Sequence, residues 1–494
     1  MESPRIGESL FMLTGKWSFR MYWFLRGVVK KALLHSVSAI DSYKRKRIRV
    51  EGQTAAYDAW DMTADTEGHL LIHGCEAVSL ASLYGTPLYV VSRYILERDY
   101  KHFYKAFHSW YPNVEVCVSY KTNPVPTVLS ILHSAGGSAE VISHFELWLA
   151  LKLGVPPEKI IFNGPCKTPD SLGLAVSRRV KLINIDNLDE IDAIDTIAGT
   201  QDCKQQVGVR VITSIGWSGQ FGLNIHSGAA WEAFRQIRMR IHLRPVGLHL
   251  HLGTGIKDIG VYLRAIREMV DFAKELQAQL GITITALDIG GGFGVPTVYK
   301  YSPLDEKLLV NGYPARLVSG NSMPTLDDYG RSISELLRDR LANVFPMMPA
   351  LILEPGRALM SSAQSLLVRV VAVKSGKKGT KNIIVDGGKN ITMPLGYEHH
   401  EAFVASKVGR PHDQAYYNVY GPLCHPGDIL FLMRRFPRID PGDVLAVMDA
   451  GAYFVPNQMN FSNPRPAVVL VEEGSHQLVR ERETFEDIVA LDRL

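Results

Sequence analysis

Residues 114–124 read VEVCVSYKTNP, a short apolar run that stops at Lys121 and is followed by the turn signal Asn-Pro. An apolar run bounded by such breakers is typical of a buried β-strand, here Val114–Ser119. Seven further runs of this kind follow along the chain, with helical stretches between them. The further predicted strands are Glu140–Ile142, Ile160–Phe162, Leu182–Ile185, Val207–Val211, Gly247–His251, Ala286–Ile289 and Ala350–Leu353, and the predicted helices include Thr127–Ser134, Glu146–Leu153 and Val261–Leu280.

Eight strands that alternate with helices indicate a closed parallel barrel rather than an open doubly wound sheet. We therefore predict an α/β fold with a (β/α)8 barrel over residues 92–362. After Ala363 helices become rare and valine-rich strands with Gly/Pro turns take over, which predicts an all-β domain formed by 47–91 and 363–494. The strands predicted for that domain are Arg47–Val50, Leu70–Ile72, Leu88–Val91, Leu366–Val373, Asn382–Val385, Asp443–Val447 and Ala467–Val471.

Composition excludes several classes of function. The net charge of +4 over 494 residues offers no dense basic stripe, so we expect no nucleic-acid partner. The five cysteines are scattered and include no CxxC pair, which argues against disulfides and structural zinc. We expect no bound metal, and a reducing, cytoplasmic location.

Residues 1–46 form a separate basic and apolar extension. Between residues 10 and 40, lysines and arginines interrupt every apolar run well short of the roughly 20 residues that a membrane-spanning helix needs. Three interpretations remain open: an interfacial amphipathic helix, a targeting segment, or an extra helix packed on the body of the protein. Contact with a membrane surface is the less favoured interpretation.

In a parallel barrel, ligands bind at the carboxyl ends of the strands, and several polar motifs directly follow a predicted strand. Lys121 ends the first strand, where a lysine of lowered pKa can bind an aldehyde cofactor covalently, although a lone strand-end lysine is more often a solvated charge. His249 and His251 alternate on one strand and point to one face. They could be metal ligands, could stack on an aromatic ring, or could form a polar pair inside the barrel; no acidic or Cys ligand follows at close spacing. Thr254 and its neighbouring glycines could contact a phosphate.

Two later motifs could bind an anion. One is a glycine-rich segment, and the other carries a carboxylate and a guanidinium close together. The glycines of Asp288–Gly294 allow backbone N–H groups to approach phosphate oxygens closely. Their spacing does not match a dinucleotide fingerprint. Glu354 and Arg357 belong to the sequence EPGR after the eighth strand, where the guanidinium could grip phosphate and the carboxylate could hold a pyridine nitrogen protonated. A structural ion pair is the alternative for this motif.

The predicted β domain contributes GPLCHPGD at 421–428 and DAGAY at 449–453. A lone cysteine such as Cys424 is usually buried and inert, but a positioned thiol can donate a proton to a carbanion.

In this order, the motifs resemble those of the ornithine and diaminopimelate decarboxylase family, from about Val50 to the C-terminus. The resemblance implies pyridoxal 5′-phosphate as cofactor, an alanine-racemase-like barrel with a β domain, and a homodimer with shared active sites. It implies that Lys121 binds the cofactor, that His251 stacks on its ring and that Glu354 pairs with the pyridine nitrogen. Cys424 of the partner subunit would return the proton. The residues that the resemblance places at the phosphate are Thr254, Gly291, Gly292, Arg357 and Tyr453, and those it places as polar neighbours of the cofactor are Arg210 and Glu140.

Departures from the family pattern concern the substrate. His425 follows Cys424, where diaminopimelate enzymes carry Glu and ornithine enzymes carry Asp. Met393 stands where the diaminopimelate branch carries an arginine for a carboxylate. Tyr397 and Glu398 resemble the Tyr-Asp pair of the ornithine branch, so Glu398 could meet an amine. These positions lead us to expect Tyr397, Glu398 and His425 at the substrate.

The resulting prediction is an amino-acid α-decarboxylase of a specialised pathway rather than of lysine biosynthesis. Its substrate would be a free amino acid or an aminoacyl group linked to a carrier protein. A racemase on the same barrel and a catalytically inactive regulatory homologue are the alternatives. A racemase would need two bases, whereas the Gly-Pro-Leu-Cys segment at 421–424 is decarboxylase-like.

Overall fold

The computed structural model describes residues 56–314, 323–342 and 344–493, together with the single residue Ser36. The chain divides into two compact units, of which the first comprises Met1–Thr54 and Tyr301–Ser319. In the part of this unit that is described, one helix spans Pro303–Val310. The extension 1–46 and the predicted strand Arg47–Val50 lie outside the described residues, apart from Ser36. No described helix is both long enough and apolar enough to cross a membrane.

The second unit, Ala55–Lys300 with Gly320–Leu494, contains all the strands of the described residues. In chain order the strands are β1 Thr63–Ala64, β2 Leu70–Ile72, β3 Cys75–Glu76, β4 Leu88–Ser92, β5 Val114–Ser119, β6 Ser138–Val141, β7 Ile160–Phe162, β8 Leu182–Ile185, β9 Gln205–Ile212, β10 Leu223–Asn224, β11 Leu243–His249, β12 Ala286–Asp288, β13 Tyr299–Lys300, β14 Ala350–Leu353, β15 Gln364–Ser375, β16 Lys381–Val385, β17 Glu398–His399, β18 Ala402–Val404, β19 Tyr417–Tyr420, β20 Ile429–Arg434, β21 Val444–Val447, β22 Ala467–Glu472 and β23 Ser475–Arg480.

Helices lie between most of the strands in the first two thirds of the chain. The α-helices are α1 Ala77–Tyr84, α2 Arg93–His108, α3 Pro126–Ser134, α4 His144–Lys152, α5 Pro169–Arg178, α6 Asp189–Thr200, α7 Ala229–Arg238, α8 Ile259–Glu275, α9 Pro303–Val310, α10 Leu326–Leu341, α11 Arg357–Met360 and α12 Phe485–Val489. Short 3-10 turns span Tyr57–Trp60, Tyr120–Thr122, Pro157–Lys159, Lys377–Gly379, Met393–Gly396 and Val455–Asn457, and a π-helical turn at Leu276–Leu280 extends α8.

Eight of the described strands close into a parallel barrel. Their order around the ring is β5-β6-β7-β8-β9-β11-β12-β14, and β14 returns to pair with β5. The short strands β7 and β8 are buried along their whole length, as expected for strands covered by helices on one side and by the barrel interior on the other. The predicted α/β barrel fold is therefore confirmed.

The other large sheet contains both parallel and antiparallel strand pairs. Its strands come from the parts of the chain that precede and follow the barrel. Strand β4, which precedes the barrel, pairs antiparallel with β15 and parallel with β22, both of which follow it. The sheet runs in the order β20-β19-β16-β15-β4-β22-β23, and β21 joins β15 to β18. This sheet corresponds to the predicted β domain, and the domain boundaries given above stay a prediction.

An aromatic cluster fixes the loop after β12. Phe293 stacks on Tyr262 with the ring centroids 5.1 Å apart, and it meets Phe103 and Tyr329 edge-on. All four side chains are buried. Aromatic pairs add about 0.5–1.5 kcal/mol beyond the burial of apolar area, so this packing anchors the neighbouring glycine loop.

Candidate active site

A cavity of about 240 Å³ opens between the carboxyl ends of the barrel strands and the β domain. Residues predicted from five separate motifs line it. The lining is formed by Ser119, Lys121, Trp217, His251, Gly253, Thr254, Gly292, Phe293, Glu354, Pro355, Gly356, Arg357, Ala358, Tyr397, Glu398, Tyr453 and Asn457.

Lys121 enters this cavity from the turn after β5. Its Nζ donates to Oε2 of Glu140 at 2.6 Å, and the hydroxyl of Ser119 donates to the same oxygen at 2.7 Å. Burial lowers the pKa of Lys121, but the nearby carboxylates of Glu140 and Glu354 outweigh burial and raise the pKa above its ordinary value. The amine is therefore a cation that is held in one position by Glu140.

Glu354 lies at the end of β14 with its carboxylate buried. Asn163, at the end of β7, donates from Nδ2 to Glu354 at 2.6 Å and to Glu140 at 3.1 Å, and so bridges the two carboxylates. Burial and the charge of Glu140 raise the pKa of Glu354 to about 7, although Lys121 opposes this rise. A carboxyl group with this pKa can be ionised when it faces a protonated ring nitrogen.

His251 lies two residues beyond the end of β11, whereas His249 is the last residue of that strand. The ring of His251 faces the cavity, 5.4 Å from the ring of Trp217, and its Nδ1 accepts from the N–H of Gly291 at 3.3 Å. Burial, with Lys121, lowers the pKa of His251 to about 3, so its imidazole is neutral. A neutral imidazole with one face open to the cavity is suited to stacking on a ring.

In the glycine loop 290–292, neither Gly291 nor Gly292 has room for a side chain. A Cβ on Gly291 would collide with the carbonyl oxygen of Glu354, and a Cβ on Gly292 would collide with that of Gly253. Gly292 also has φ +92, in the left-handed region that favours glycine. The hydroxyl of Tyr262 donates to the carbonyl oxygen of Gly291 at 2.8 Å and holds the loop from below.

Arg357 begins α11, three residues after Glu354, and also lines the cavity. Its Nη2 donates to Glu398 at 2.7 Å, and its guanidinium lies 5.4 Å from the ring centroid of Tyr453. Nη1 is buried without a hydrogen-bond partner among the described residues. Burial alone would raise the pKa of Glu398, but His400 and Arg357 lower it, so Glu398 is ionised.

Five predicted site residues do not line the cavity. Gly291 and Glu140 lie directly behind its wall, where they contact His251 and Lys121. Arg210 lies over the ring of Phe221 at 4.3 Å, and its Nη1 is 3.9 Å from Asp186. Cys424 and His425 lie exposed on the turn formed by residues 421–428, which we call the Cys424 turn. Within one chain the structure thus brings together the lysine, the acid and the glycine loop, but not the thiol.

Sequence reasoning missed four residues of this region. Asn163 bridges two carboxylates, Asp288 is buried beside Glu354, and Trp217 and Asn457 line the cavity. Asn163 and Asp288 carried a usable signal, because each directly follows or ends a barrel strand. Trp217 and Asn457 lie in loops and carried none.

The residues present fit a phosphorylated aromatic aldehyde. Lys121 offers an amine at the mouth of the strand ring, the glycine loop is free of Cβ atoms, and the unpartnered Nη1 of Arg357 offers a buried donor to an anion. A parallel barrel that unites these groups at its strand ends defines the class of barrel enzymes that use pyridoxal 5′-phosphate.

Comparison with known proteins gives the family. The family described as pyridoxal-dependent decarboxylase, pyridoxal binding domain, matches residues 96–361, more than half of the chain. The chain belongs to this family, and it is a pyridoxal-phosphate-dependent carboxy-lyase.

Relatives extend the similarity across the β domain. The chain is 32% identical to the diaminopimelate decarboxylase of Methanothermobacter thermautotrophicus over 87% of its own length and 96% of the relative's. It is 33% identical to the diaminopimelate decarboxylase of Aquifex aeolicus over 86% and 95% of the two chains. The crystal structure of the M. jannaschii diaminopimelate decarboxylase in complex with L-lysine superposes with a TM-score of 0.79, at 29% identity, over 88% of this chain and 98% of that one.

These relatives correct one prediction from the sequence. The expectation of a specialised pathway instead of lysine biosynthesis is wrong, because relatives about 30% identical over most of the chain are diaminopimelate decarboxylases. The expectation gave single positions, His425 and Met393, more weight than similarity along the whole chain. The predicted decarboxylase class and the predicted cofactor are confirmed.

Proposed function

We propose that this chain decarboxylates diaminopimelate to lysine. The observation that carries the proposal is the 32% identity over 87% of the chain to a diaminopimelate decarboxylase. The charges of the cavity support it, since its lining includes the cations Lys121 and Arg357 and the carboxylates Glu354 and Glu398. Diaminopimelate carries an amino-acid group at each end, so one end would react while the other is recognised.

On the barrel side, each residue has a proposed task toward the cofactor. Lys121 would bind it, His251 would stack on its ring, and Glu354 would pair with its ring nitrogen. The residues that would hold the phosphate are Thr254, Gly291, Gly292, Arg357 and Tyr453. The chemistry that the bound cofactor supplies is storage of the electron pair released when the Cα–carboxyl bond breaks. Glu140 orients Lys121. Arg210 lies outside the cavity, and we propose only that its charge acts on the site from a distance.

On the opposite side, Tyr397 and Glu398 would recognise the far end of the substrate. Glu398 is ionised and lines the cavity, so it can accept a hydrogen bond from the distal ammonium group. This carboxylate would supply the acid that is missing at position 425, where His425 stands.

We further propose a homodimer in which the Cys424 turn of a second copy closes the site. Cys424 is exposed and outside the cavity of its own chain. From the partner subunit its thiol could donate the proton that replaces the lost carboxylate. We also propose a cytoplasmic location, which the five free cysteines support.

The test is carbon dioxide release by purified, cofactor-loaded protein from a panel of amino acids. The panel contains diaminopimelate in each stereoisomer, ornithine, lysine, arginine, acidic amino acids and carrier-linked aminoacyl groups. We expect release from diaminopimelate with lysine as product, and none from the Lys121→Ala variant. Release from another member alone would refute the proposed substrate. Exchange of the Cα hydrogen without release of carbon dioxide would favour a racemase.

A further inference from the structure

Three buried ionisable side chains meet below the cavity, at the ends of neighbouring barrel strands. One potential ligand atom from each of His249, Asp288 and Glu354 lies within 4.8 Å of the others. Both ring nitrogens of His249 and Oδ2 of Asp288 have no hydrogen-bond partner among the described residues. Leaving a buried polar atom without a hydrogen-bond partner is unfavourable, so the geometry of this cluster indicates a shared proton or a bound ion.

The two carboxyl groups cannot both be ionised at this separation without a counter-charge, because like charges in a buried site raise each other's pKa. They differ in the donors that they receive. Glu354 accepts a hydrogen bond from Asn163 and is stabilised by the charge of Lys121. Among the described residues, the carboxyl group of Asp288 accepts the N–H of Gly290, through Oδ1 at 2.9 Å, and Oδ2 receives no donor.

Of the charged groups that act on Asp288, the carboxylates of Glu354 and Glu140 favour its protonated form, whereas the guanidinium of Arg210 opposes it. The buried thiol of Cys117 and the imidazole of His249 also lie near it and carry no charge that would stabilise the ionised form. Burial raises the pKa of Asp288 well above its ordinary value, and Glu354 raises it further. Burial lowers the pKa of His249, which keeps its imidazole neutral.

We propose that Asp288 is a positioning residue that holds a proton at Oδ2, toward Glu354, so that Glu354 keeps its negative charge facing the cofactor. Because Oδ1 of Asp288 simultaneously accepts from Gly290, the same side chain ties the orientation of Glu354 to the glycine loop. The inference goes beyond the proposed function and does not depend on which amino acid is decarboxylated.

Infrared difference spectroscopy of the full-length, cofactor-loaded protein at neutral pH, without substrate, tests this proposal. The spectrum of wild type minus Asp288→Asn should contain the carbonyl-stretch band of a protonated carboxyl group. The spectrum of wild type minus Glu354→Gln should contain a carboxylate band instead. Glu401→Gln is the matched control, because Glu401 is also buried but has a pKa lowered to about 2 by Arg434 and His399 against the effect of burial, and should give a carboxylate band alone.

A second readout is the pH dependence of the cofactor's visible absorption. Asp288→Asn keeps an N–H donor toward Glu354, so the pH at the midpoint of the absorption change should stay at its wild-type value. Asp288→Leu removes the donor that stabilises the Glu354 carboxylate. The pKa of Glu354, and with it the pH of the midpoint, should then rise by about one unit or more, since a hydrogen bond to a charged group contributes about 1.5–3 kcal/mol.

Two results would overturn the proposal. The first is the absence of a protonated-carboxyl band from the spectrum of wild type minus Asp288→Asn; if that band appears instead in the spectrum of wild type minus Glu354→Gln, the proton is on Glu354. The second is a stoichiometric divalent metal in the wild-type protein that is lost from both Asp288→Asn and His249→Ala. Because no substrate is present, failure here is distinguishable from failure of the proposed decarboxylation.

Discussion

The barrel side of the cavity and the Cys424 turn differ in how much of their surroundings one chain supplies. Lys121 is held by the hydrogen bond that it donates to Glu140, and Glu354 by the one that it accepts from Asn163; both residues line the cavity. Cys424 and His425 lie exposed on a turn that does not line this cavity. The difference indicates that one chain prearranges the pocket proposed for the cofactor, whereas the proposed proton donor would have to come from a second copy.

The largest effect should come from the barrel side. Lys121→Ala removes the group that binds the cofactor, and we expect kcat/KM to fall by at least about 10⁴-fold with loss of visible absorption. Absorption and decarboxylation are measured on the same cofactor-treated sample, with Lys152→Ala on the surface of α4 as the control. Wild-type absorption in the Lys121 variant would show that another group binds the cofactor.

The second-largest effect should come from the Cys424 turn, and it should leave the cofactor pocket unchanged. Cys424→Ala should lower kcat by about 10²- to 10⁴-fold, the usual contribution of a general acid, while the cofactor absorption stays unchanged. Mixing Lys121→Ala with Cys424→Ala subunits should then restore about a quarter of wild-type activity, because half of the random dimers gain one intact shared site. No restoration after verified subunit exchange would place both residues in the same chain's site.

The third predicted effect concerns stability. It comes from a cluster of charged side chains near Glu398 in the β domain. Glu401 accepts from Arg434 at 2.9 Å and from His399 at 3.0 Å. Burial favours its neutral form, but Arg434 and His399 prevail and lower its pKa from 4.5 to about 2. A lowered carboxyl pKa contributes stability above pH 4.5, and this contribution is lost as the pH falls toward 2.

Glu401→Gln leaves the Arg434 charge buried without its partner and should reduce the free energy of unfolding by about 3 kcal/mol at pH 7. The difference from wild type should shrink between pH 4.5 and pH 2, as denaturant titrations at several pH values would show. A difference that is constant with pH would mean that packing, rather than charge, stabilises this cluster.

The fold was predictable because each barrel strand is a short apolar run with breakers on both sides. Val114–Ser119 and Ala350–Leu353 have the predicted bounds. The strand predicted at Gly247–His251 instead spans Leu243–His249, because Leu243, Arg244 and Pro245 already pair with β9 and Leu250 lies in the loop after the strand.

The site was predictable as a set of motifs but not as a set of contacts. Lys121 and Glu354 were predicted because each follows a predicted strand, whereas His251 was placed on a strand and was assigned to the cofactor by the family resemblance. The hydrogen bond from Asn163 to Glu354 joins residues 191 positions apart, and no local pattern encodes it. Likewise, residue types alone could not show that Arg210 lies outside the cavity or that Asp288 lies beside Glu354.

The smallest effect that we predict concerns how the Cys424 turn is held. The buried carboxylate of Asp428 accepts the N–H of Leu423 at one oxygen and the N–H of Lys389 at the other, both at 2.7 Å. Asp428→Asn keeps one acceptor and turns an N–H donor of its amide toward the other backbone N–H, so one of these bonds is lost.

The turn should then shift, and a displacement of about 1 Å at a catalytic group can cost up to about 10²-fold in rate. We expect kcat to fall by about tenfold, with unchanged cofactor absorption and unchanged dimer content. Asp413→Asn, which breaks a carboxylate–lysine pair elsewhere in the β domain, is the control. If Asp428→Asn released the cofactor instead, the turn would be part of the pocket that one chain builds by itself, and the contrast between the two regions would fail.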